Sequence, residues 1–231
     1  MTIDKNTIAL LHFENSSIKD ECGNTWQVYG NPVLTSDCYK FGKQSLLLDG
    51  VDDYLSISSL DLSASDFSID FWVYYYKNYT NNIGRAIFST ANDIGFSPFS
   101  IRGSTDNGTL IASYMTRQSA WDISCGDVFS YVKLNTWAHY YIGRSGNTLY
   151  LAENGVIKHT YSVSGTINGL KYPLLFGKIV TDGTQYLHAC LDELRISNIA
   201  RWTSNFTPPR TQYGFINTAY EDNKKALYGY L

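Results

Sequence analysis

The stretch FSIDFWVYYY, residues 67–76, decides the fold of this chain. Two sets of side chains alternate along it, the apolar Phe67, Ile69, Phe71, Val73 and Tyr75 and the mixed Ser68, Asp70, Trp72, Tyr74 and Tyr76. Successive side chains of a β-strand point to opposite faces, so this alternation predicts a strand with one face in a core. The second face is expected to be polar and aromatic.

The rest of the chain also favours strands. Aromatic residues make up 15% of it, including 19 Tyr, and 18 Gly supply turns. Gly and Asn recur roughly every eight to twelve residues, which is typical of a sandwich or barrel. No long 3.6-residue apolar pattern is present, and a short helical turn is expected only at 197–202. The predicted strands are 8–13, 25–29, 45–48, 53–57, 67–76, 85–89, 98–102, 109–115, 136–143, 147–152, 156–162, 173–177 and 186–196.

One hairpin is marked by its turn chemistry. Asn154 and Gly155 lie between two strand patterns, and both residue types accept the positive φ angles of a type I′ turn. Together with the preceding RSGN turn at 144–147, they predict a three-stranded antiparallel meander over 136–162.

The chain changes character after Pro208-Pro209, because two rigid residues end the last element and a polar, Tyr-rich segment follows. We therefore predict one domain over 1–210. Residues 211–231 form a tail, interpreted as a final strand or a subunit-contact segment.

Composition excludes several classes of partner. Charged residues are 17% of the chain, the net charge is −3 and the pI is about 5.8, so no basic surface for nucleic acid is expected. The apolar runs are far shorter than the ~20 residues needed to span a bilayer, which predicts no membrane insertion. The four Cys are scattered, which favours reduced thiols. If a disulfide forms, Cys22 and Cys38 are the expected pair.

Four blocks follow one another along the chain: FGKQSLLLDGVDDYLSIS (41–58), FSIDFWVYY (67–75), TWAHYYIGRSGNTLYLAENGVI (136–157) and LHACLDELRISNIARWTSNFTPP (187–209). In this order they resemble laminin-G-like jelly rolls of the concanavalin A-like lectin/glucanase superfamily. The resemblance spans residues 8–209 and implies an all-β, two-sheet antiparallel jelly-roll sandwich. The last block is similar to versions found in bacteriophage and prophage virion proteins.

The first block packs three acids into one turn. Gly50 permits a tight turn, and Asp49, Asp52 and Asp53 are expected to hydrogen-bond its backbone, since Asp in such turns usually serves the local amides. Metal ligation by these acids is the alternative.

The resemblance also implies one structural Ca²⁺ between the terminal strands. Glu14 and Asp192 match positions similar to such ligands, and Asp20 is a third candidate. The alternative is that Asp192 caps a bend and Glu14 pairs with a surface base.

No catalytic pattern is present. The glucanases of this superfamily carry Glu-x-Asp-x-x-Glu or a close variant on one strand, whereas the matching stretch here has a single acid, Asp70. G-x-S-x-G, H-E-x-x-H and G-x-x-x-x-G-K are also absent. We therefore predict that the chain is not an enzyme.

The mixed face of 67–76 carries the binding hypothesis. Trp72, Tyr74 and Tyr76 would stack on sugar rings while Asp70 accepts hydrogen bonds from hydroxyls. Trp121, in a long loop region, is a further candidate contact. The alternative is that loops or another subunit cover these aromatics as ordinary packing.

These patterns predict a non-catalytic carbohydrate-binding or adhesion module. The resemblance places it in a bacteriophage virion, as a fibre, tail or capsid-surface protein that binds surface glycans. A bacterial cell-surface or extracellular location is the alternative. The competing hypothesis is a structural decoration or assembly protein, with other virion or surface subunits as partners, or copies of itself in a homo-oligomer.

Overall fold

The computed structural model describes residues 3–58, 60–76, 86–90, 99–104, 110–115, 123–127, 133–179 and 185–214. Nearly all regular structure in these residues is β. The exception within these ranges is a 3₁₀ turn over Asn168–Lys171. The strands are β1 Thr7–Leu11, β2 Gln27–Tyr29, β3 Val33–Thr35, β4 Ser45–Asp49, β5 Tyr54–Ile57, β6 Phe67–Tyr75, β7 Ala86–Thr90, β8 Phe99–Ser104, β9 Leu110–Met115, β10 Ile123–Asp127, β11 Trp137–Ser145, β12 Thr148–Glu153, β13 Val156–Ser162, β14 Leu174–Phe176, β15 Lys178–Ile179, β16 Gln185–Tyr186 and β17 His188–Ser197.

Two antiparallel sheets pack face to face. The large sheet has the order β13-β12-β11-β6-β17-β4-β3, with β1 also paired to β17, and the small sheet has the order β10-β9-β8-β7-β14-β5-β2. β15 and β16 form a separate two-stranded ribbon. Sequence neighbours such as β4 and β5 lie in different sheets, so the chain crosses between layers at its turns. This architecture confirms the predicted all-β sandwich.

The hydrophobic core lies between the sheets, and β6 is at the centre of the large one. All five residues of its apolar set are in this core, as the alternation predicted. From the small sheet, Phe176 packs 5.8 Å from Phe71 and 5.0 Å from Phe88, measured between ring centroids. The core therefore fixes which face of β6 points outward.

The predicted hairpin between β12 and β13 is confirmed. Asn154 and Gly155 have φ angles of 49° and 81°. A Cβ on Gly155 would collide with the carbonyl oxygen of Phe206, and the amide of Phe206 donates to the Gly155 carbonyl oxygen (2.8 Å). Glycine is required here both for the turn and for this close approach.

The helical turn expected at 197–202 does not form. Arg201 instead donates to Ser197 Oγ (2.6 Å) and to Asp4 Oδ2 (2.9 Å). The Tyr141 hydroxyl, on β11, bonds both the amide and the carbonyl of Trp202. Because Asp4 and Tyr141 are distant in sequence from this segment, local propensity could not predict its irregular, non-helical course.

Cys22, Cys38 and Cys190 are free thiols. The Cys22–Cys38 bridge is therefore not formed, since Cys22 is exposed and Cys38 is buried. Within the part of the chain that the structure describes, no helix has the length and apolar character needed to cross a bilayer.

Candidate functional site

The outer face of the large sheet, opposite the core, carries most of the predicted ligand contacts. Asp70 lies there, but it is 0% exposed. Arg195, on the neighbouring strand β17, donates two hydrogen bonds to the Asp70 carboxylate, from Nε to Oδ1 at 3.0 Å and from Nη2 to Oδ2 at 2.9 Å. His139 Nε2 lies 3.4 Å from Oδ2. The prediction that Asp70 accepts from sugar hydroxyls is therefore wrong, because the carboxylate is enclosed and engaged.

The charge states of this cluster follow from burial and pairing. Burial acts to raise the pKa of Asp70, but the Arg195 charge and the His139 hydrogen bond outweigh it, so the pKa lies well below its ordinary value. Burial lowers the pKa of His139. The cluster is thus a buried ion pair next to a neutral imidazole.

Trp72 is also covered. Only 6% of it is exposed, and residues Lys40 and Phe41 lie over it. The Phe41 ring meets the indole edge-on at 5.8 Å, and Lys40 Nζ is 4.1 Å from the indole centroid. Trp72 also packs 5.0 Å from His139. The packing alternative therefore holds for Trp72, and its predicted role as a sugar contact is corrected.

Residues 198–214, which we call the C-terminal strap, cover the middle of the outer face. Trp202 and Phe206 stack with ring centroids 3.9 Å apart. Tyr213 lies under the Arg195 guanidinium at 3.9 Å, and its hydroxyl is 3.2 Å from His139 Nε2. The strap therefore occupies the area where the sequence predicted a continuous platform.

A half-buried aromatic group remains at the end of β6. Tyr74 lies 5.2 Å from Tyr76 and 5.5 Å from Trp137, and Tyr76 lies 5.9 Å from His188. We call these four residues the outer-face cluster. The structure thus brings two predicted contacts together with two that sequence reasoning missed. For Trp137 the available signal was the strand pattern WAHYY, but its register opposite Tyr74 is set by the pairing of β11 with β6.

A cleft of about 250 Å³ opens beside Trp137. Its lining includes Lys133, Thr136 and Lys158, with Lys158 Nζ 3.6 Å from a carboxylate oxygen of Glu153. The lining also includes Tyr75, Ala138 and Tyr140, which lie on the core faces of β6 and β11. The cleft therefore opens on the core side of the large sheet, whereas the outer-face cluster lies on the other side.

Two of the acids predicted as calcium ligands bind backbone amides. Glu14 Oε1 accepts from the amides of residues 43 and 44, at 2.8 and 3.1 Å. Asp192 Oδ2 accepts from the amides of Lys40 and Phe41, at 2.7 and 3.0 Å. Both acids therefore fasten the loop at 40–44 over the sheet.

The third acid, Asp20, is saturated. Its two oxygens accept from the amides of Leu10 and Cys22 and from the side chains of Asn24 and Trp26, at 2.7–3.2 Å. Across the described ranges, these three acids form no group of converging ligand atoms. The positions of Glu14, Asp20 and Asp192 therefore do not fit one calcium ion bound by all three.

A different trio of carboxylates does converge. Ligand oxygens of Asp49, Asp52 and Asp53 lie within 4.8 Å of one another at the β4–β5 turn. Asp53 accepts from the amides of Asn31 (2.6 Å) and Asp49 (3.0 Å), and Asp49 accepts from that of Val51 (2.8 Å). The predicted turn-bonding role is confirmed for Asp49 and Asp53.

Asp192 should make stability pH-dependent. Burial, and then the Glu193 charge, raise its pKa to about 8 from 3.8, so the native state holds this proton between those values while the unfolded state releases it. Stability contributed by Asp192 therefore falls as pH rises from about 4 to 8. We expect Asp192→Asn to reduce the loss of unfolding free energy between pH 5 and pH 8, measured by urea denaturation.

The exposed acid Asp37 offers a matched control. Asp37→Asn should leave the difference between the two pH values as in the unmodified protein. An Asp192→Asn protein with the unmodified pH dependence would contradict the assignment.

The remaining predicted contact, Trp121, lies outside the described residues.

Comparisons with known proteins bear on the fold. A family model described as the concanavalin A-like lectin/glucanases superfamily matches residues 49–204. No curated protein sequence matches the chain.

Several solved structures are similar. Domain 4 of AbnA, a GH43 extracellular arabinanase from Geobacillus stearothermophilus, in complex with arabinotriose, has a TM-score of 0.66 and 20% identity, covering 84% of this chain and 93% of that one. The binding domain of botulinum neurotoxin DC, in complex with rat synaptotagmin II, has a TM-score of 0.63 and 17% identity, covering 86% and 49%. Botulinum neurotoxin type C, whose cell entry depends on interaction with two ganglioside molecules, has a TM-score of 0.64 and 16% identity. The match covers 84% of this chain and 48% of the toxin chain. The chain spans about half of these toxin chains, and identities this low establish the fold alone.

Proposed function

We propose that this chain, which belongs to the concanavalin A-like lectin/glucanases superfamily, is a non-catalytic carbohydrate-binding module for surface glycans. The observation that supports this most directly is the outer-face cluster of Tyr74, Tyr76, Trp137 and His188, four half-buried rings in mutual contact on the outer face of the large sheet. Arabinotriose in the related domain of AbnA supports the same ligand class.

The cluster suits sugars for a physical reason. Aromatic rings that are half-buried are rigid, so they offer flat apolar area to the C–H face of a sugar at low entropic cost. A shallow site of this kind binds weakly, so biological affinity would come from several copies acting together.

The absence of catalysis is part of the proposal. Glycoside hydrolysis normally needs two carboxyl groups across the scissile bond. On β6 the only acid is Asp70, which is buried and bound to Arg195. Glu153 lines the cleft and has Lys158 as its ion-pair partner. Neither acid supports the geometry of a hydrolase.

Trp137→Ala tests the site. We expect it to reduce binding to the best ligand on a glycan array by at least about tenfold in calorimetry, because it removes the indole that packs against Tyr74 in the outer-face cluster. Tyr172→Ala is the matched control, since Tyr172 is another half-buried aromatic next to the 3₁₀ turn. Unchanged affinity in Trp137→Ala would remove the cluster from consideration.

The setting that we propose is the surface of a bacteriophage virion, with a bacterial cell surface or extracellular location as the alternative. The similarity of the block at 187–209 to phage and prophage proteins supports the virion. The adjacent reading frames test it: tail or capsid genes would support the virion, and their absence would favour a cellular location.

A second candidate function is that of a structural decoration or assembly protein with no glycan ligand. Three exposed valines favour it, Val28 (45%), Val33 (55%) and Val51 (67%), because surface apolar groups of this kind suit subunit contacts. Light scattering at high concentration tests it, and a strictly monomeric protein would count against this function.

A further inference from the structure

The edge of the small sheet carries a second group of aromatic rings. Tyr29 on β2 is 40% exposed and stacks on Tyr54 of β5, with ring centroids 4.2 Å apart and planes 3° apart. Lys178 and Tyr186 lie next to Tyr54. We propose that these four residues, which we call the tyrosine platform, form a separate binding site for a neutral saccharide.

The strand order leaves one face of the Tyr29 ring open. Tyr29 and Tyr54 are in register on paired strands, so Tyr54 covers one face of the Tyr29 ring. β2 is the last strand of the small sheet in the described part of the chain. The opposite ring face therefore looks over the sheet edge, where a pyranose or furanose ring can lie flat against it.

The platform is held rigid from behind. Lys178 Nζ lies 4.2 Å from the Tyr54 centroid and 5.6 Å from that of Tyr186, a cation–π arrangement. The Tyr29 hydroxyl donates to Gln27 Oε1 at 2.7 Å. The Tyr29 ring is therefore held by the stacked Tyr54 ring and by the hydrogen bond of its hydroxyl, so it loses little conformational freedom when a ligand binds.

Nearby charges select the kind of saccharide. Asp52 lies against Gly30, the residue after Tyr29: a Cβ at Gly30 would be 2.8 Å from Asp52 Oδ1. Asp49 and Asp52 are both exposed. Carboxylates accept strong hydrogen bonds from sugar hydroxyls, whereas they repel carboxylated or sulfated sugars. Lys178, the one cation of the platform, lies over the Tyr54 and Tyr186 rings. The platform therefore fits a neutral saccharide.

The ligand class of this inference rests on the proposed function, but the site is distinct. Tyr186 precedes His188 of the outer-face cluster by two residues, with Leu187 buried between them. Both groups therefore lie at the same end of the sandwich, on different sheets. One chain could engage two units of a glycan, which raises avidity without a new contact.

The test uses the full chain and an array of neutral and acidic oligosaccharides that includes arabinotriose. Neutral members should bind, and calorimetry should show about a tenfold loss of affinity in Tyr29→Ala. Tyr29→Trp keeps a flat ring and should retain binding, and Asp52→Asn should weaken it several-fold. Tyr172→Ala is the control. Unchanged thermal unfolding would show that these surface changes leave the fold intact.

Each outcome separates the two sites. Loss of binding in Tyr29→Ala with retention in Trp137→Ala supports the platform and removes the outer-face cluster. The reverse pattern overturns the platform and leaves the proposed function in place. Binding of acidic sugars alone, or an oligomer that Tyr29→Ala dissociates without any effect on sugar binding, also overturns the platform. An array with no bound member overturns both sites.

Discussion

Asp70→Ala is expected to lower the free energy of unfolding by about 3–5 kcal/mol, because it leaves the Arg195 guanidinium buried without a counter-charge. The pair is deep: Asp70 is 0% exposed and Arg195 is 8% exposed. His139 also loses its contact with the carboxylate. Urea denaturation monitored by tryptophan fluorescence measures the effect.

The control is a double replacement. Asp70→Leu combined with Arg195→Met removes both charges and restores apolar volume, so its stability should lie closer to that of the unmodified protein than Asp70→Ala does. If the free energy of unfolding of Asp70→Ala lay within about 1 kcal/mol of that of the unmodified protein, the stabilising role of the ion pair would be contradicted.

The same ion pair makes the stability of the folded protein decline in acid. The pKa of Asp70 is lower in the folded state than the 3.8 of the unfolded chain, because the Arg195 charge and the His139 hydrogen bond outweigh the effect of burial. Its stabilisation is complete above the unfolded value and declines as pH falls below about 4 toward the folded pKa. In Asp70→Ala this part of the acid-dependent loss should disappear.

Trp72→Ala is expected to lower the free energy of unfolding by about 3–5 kcal/mol, a cost typical of removing a large buried aromatic side chain. The indole is 6% exposed and packs against Phe41, His139 and Lys40. Its loss leaves a cavity under the 40–44 loop. Thermal and urea unfolding give the magnitude, and glycan binding at a temperature where the variant is folded should be retained.

Trp137→Ala is the matched comparison, since it removes the same ring from a half-buried position on β11. Its stability cost should be clearly smaller than that of Trp72→Ala. If Trp72→Ala instead abolished binding at little cost in stability, the original interpretation of Trp72 as a sugar contact would return.

The strands were predictable because their signals are local. Alternation in 67–76 is a property of consecutive side chains, and the turn at Asn154-Gly155 depends on the φ angles that those two residues accept. Of the candidate site, the sequence correctly grouped Tyr74 and Tyr76. It could not find His188, because that residue reaches Tyr76 only through the pairing of β17 with β6.

The amino-acid sequence by itself determined that β6 has an apolar face and a mixed one, and that the apolar face would enter a core. Only the tertiary structure decided what covers the mixed face. Arg195 reaches Asp70 from 125 residues away, and Lys40 reaches Trp72 from an earlier loop. Alternation specifies the direction of a side chain from the strand, but the burial of that side chain depends on segments distant in sequence that pack over it.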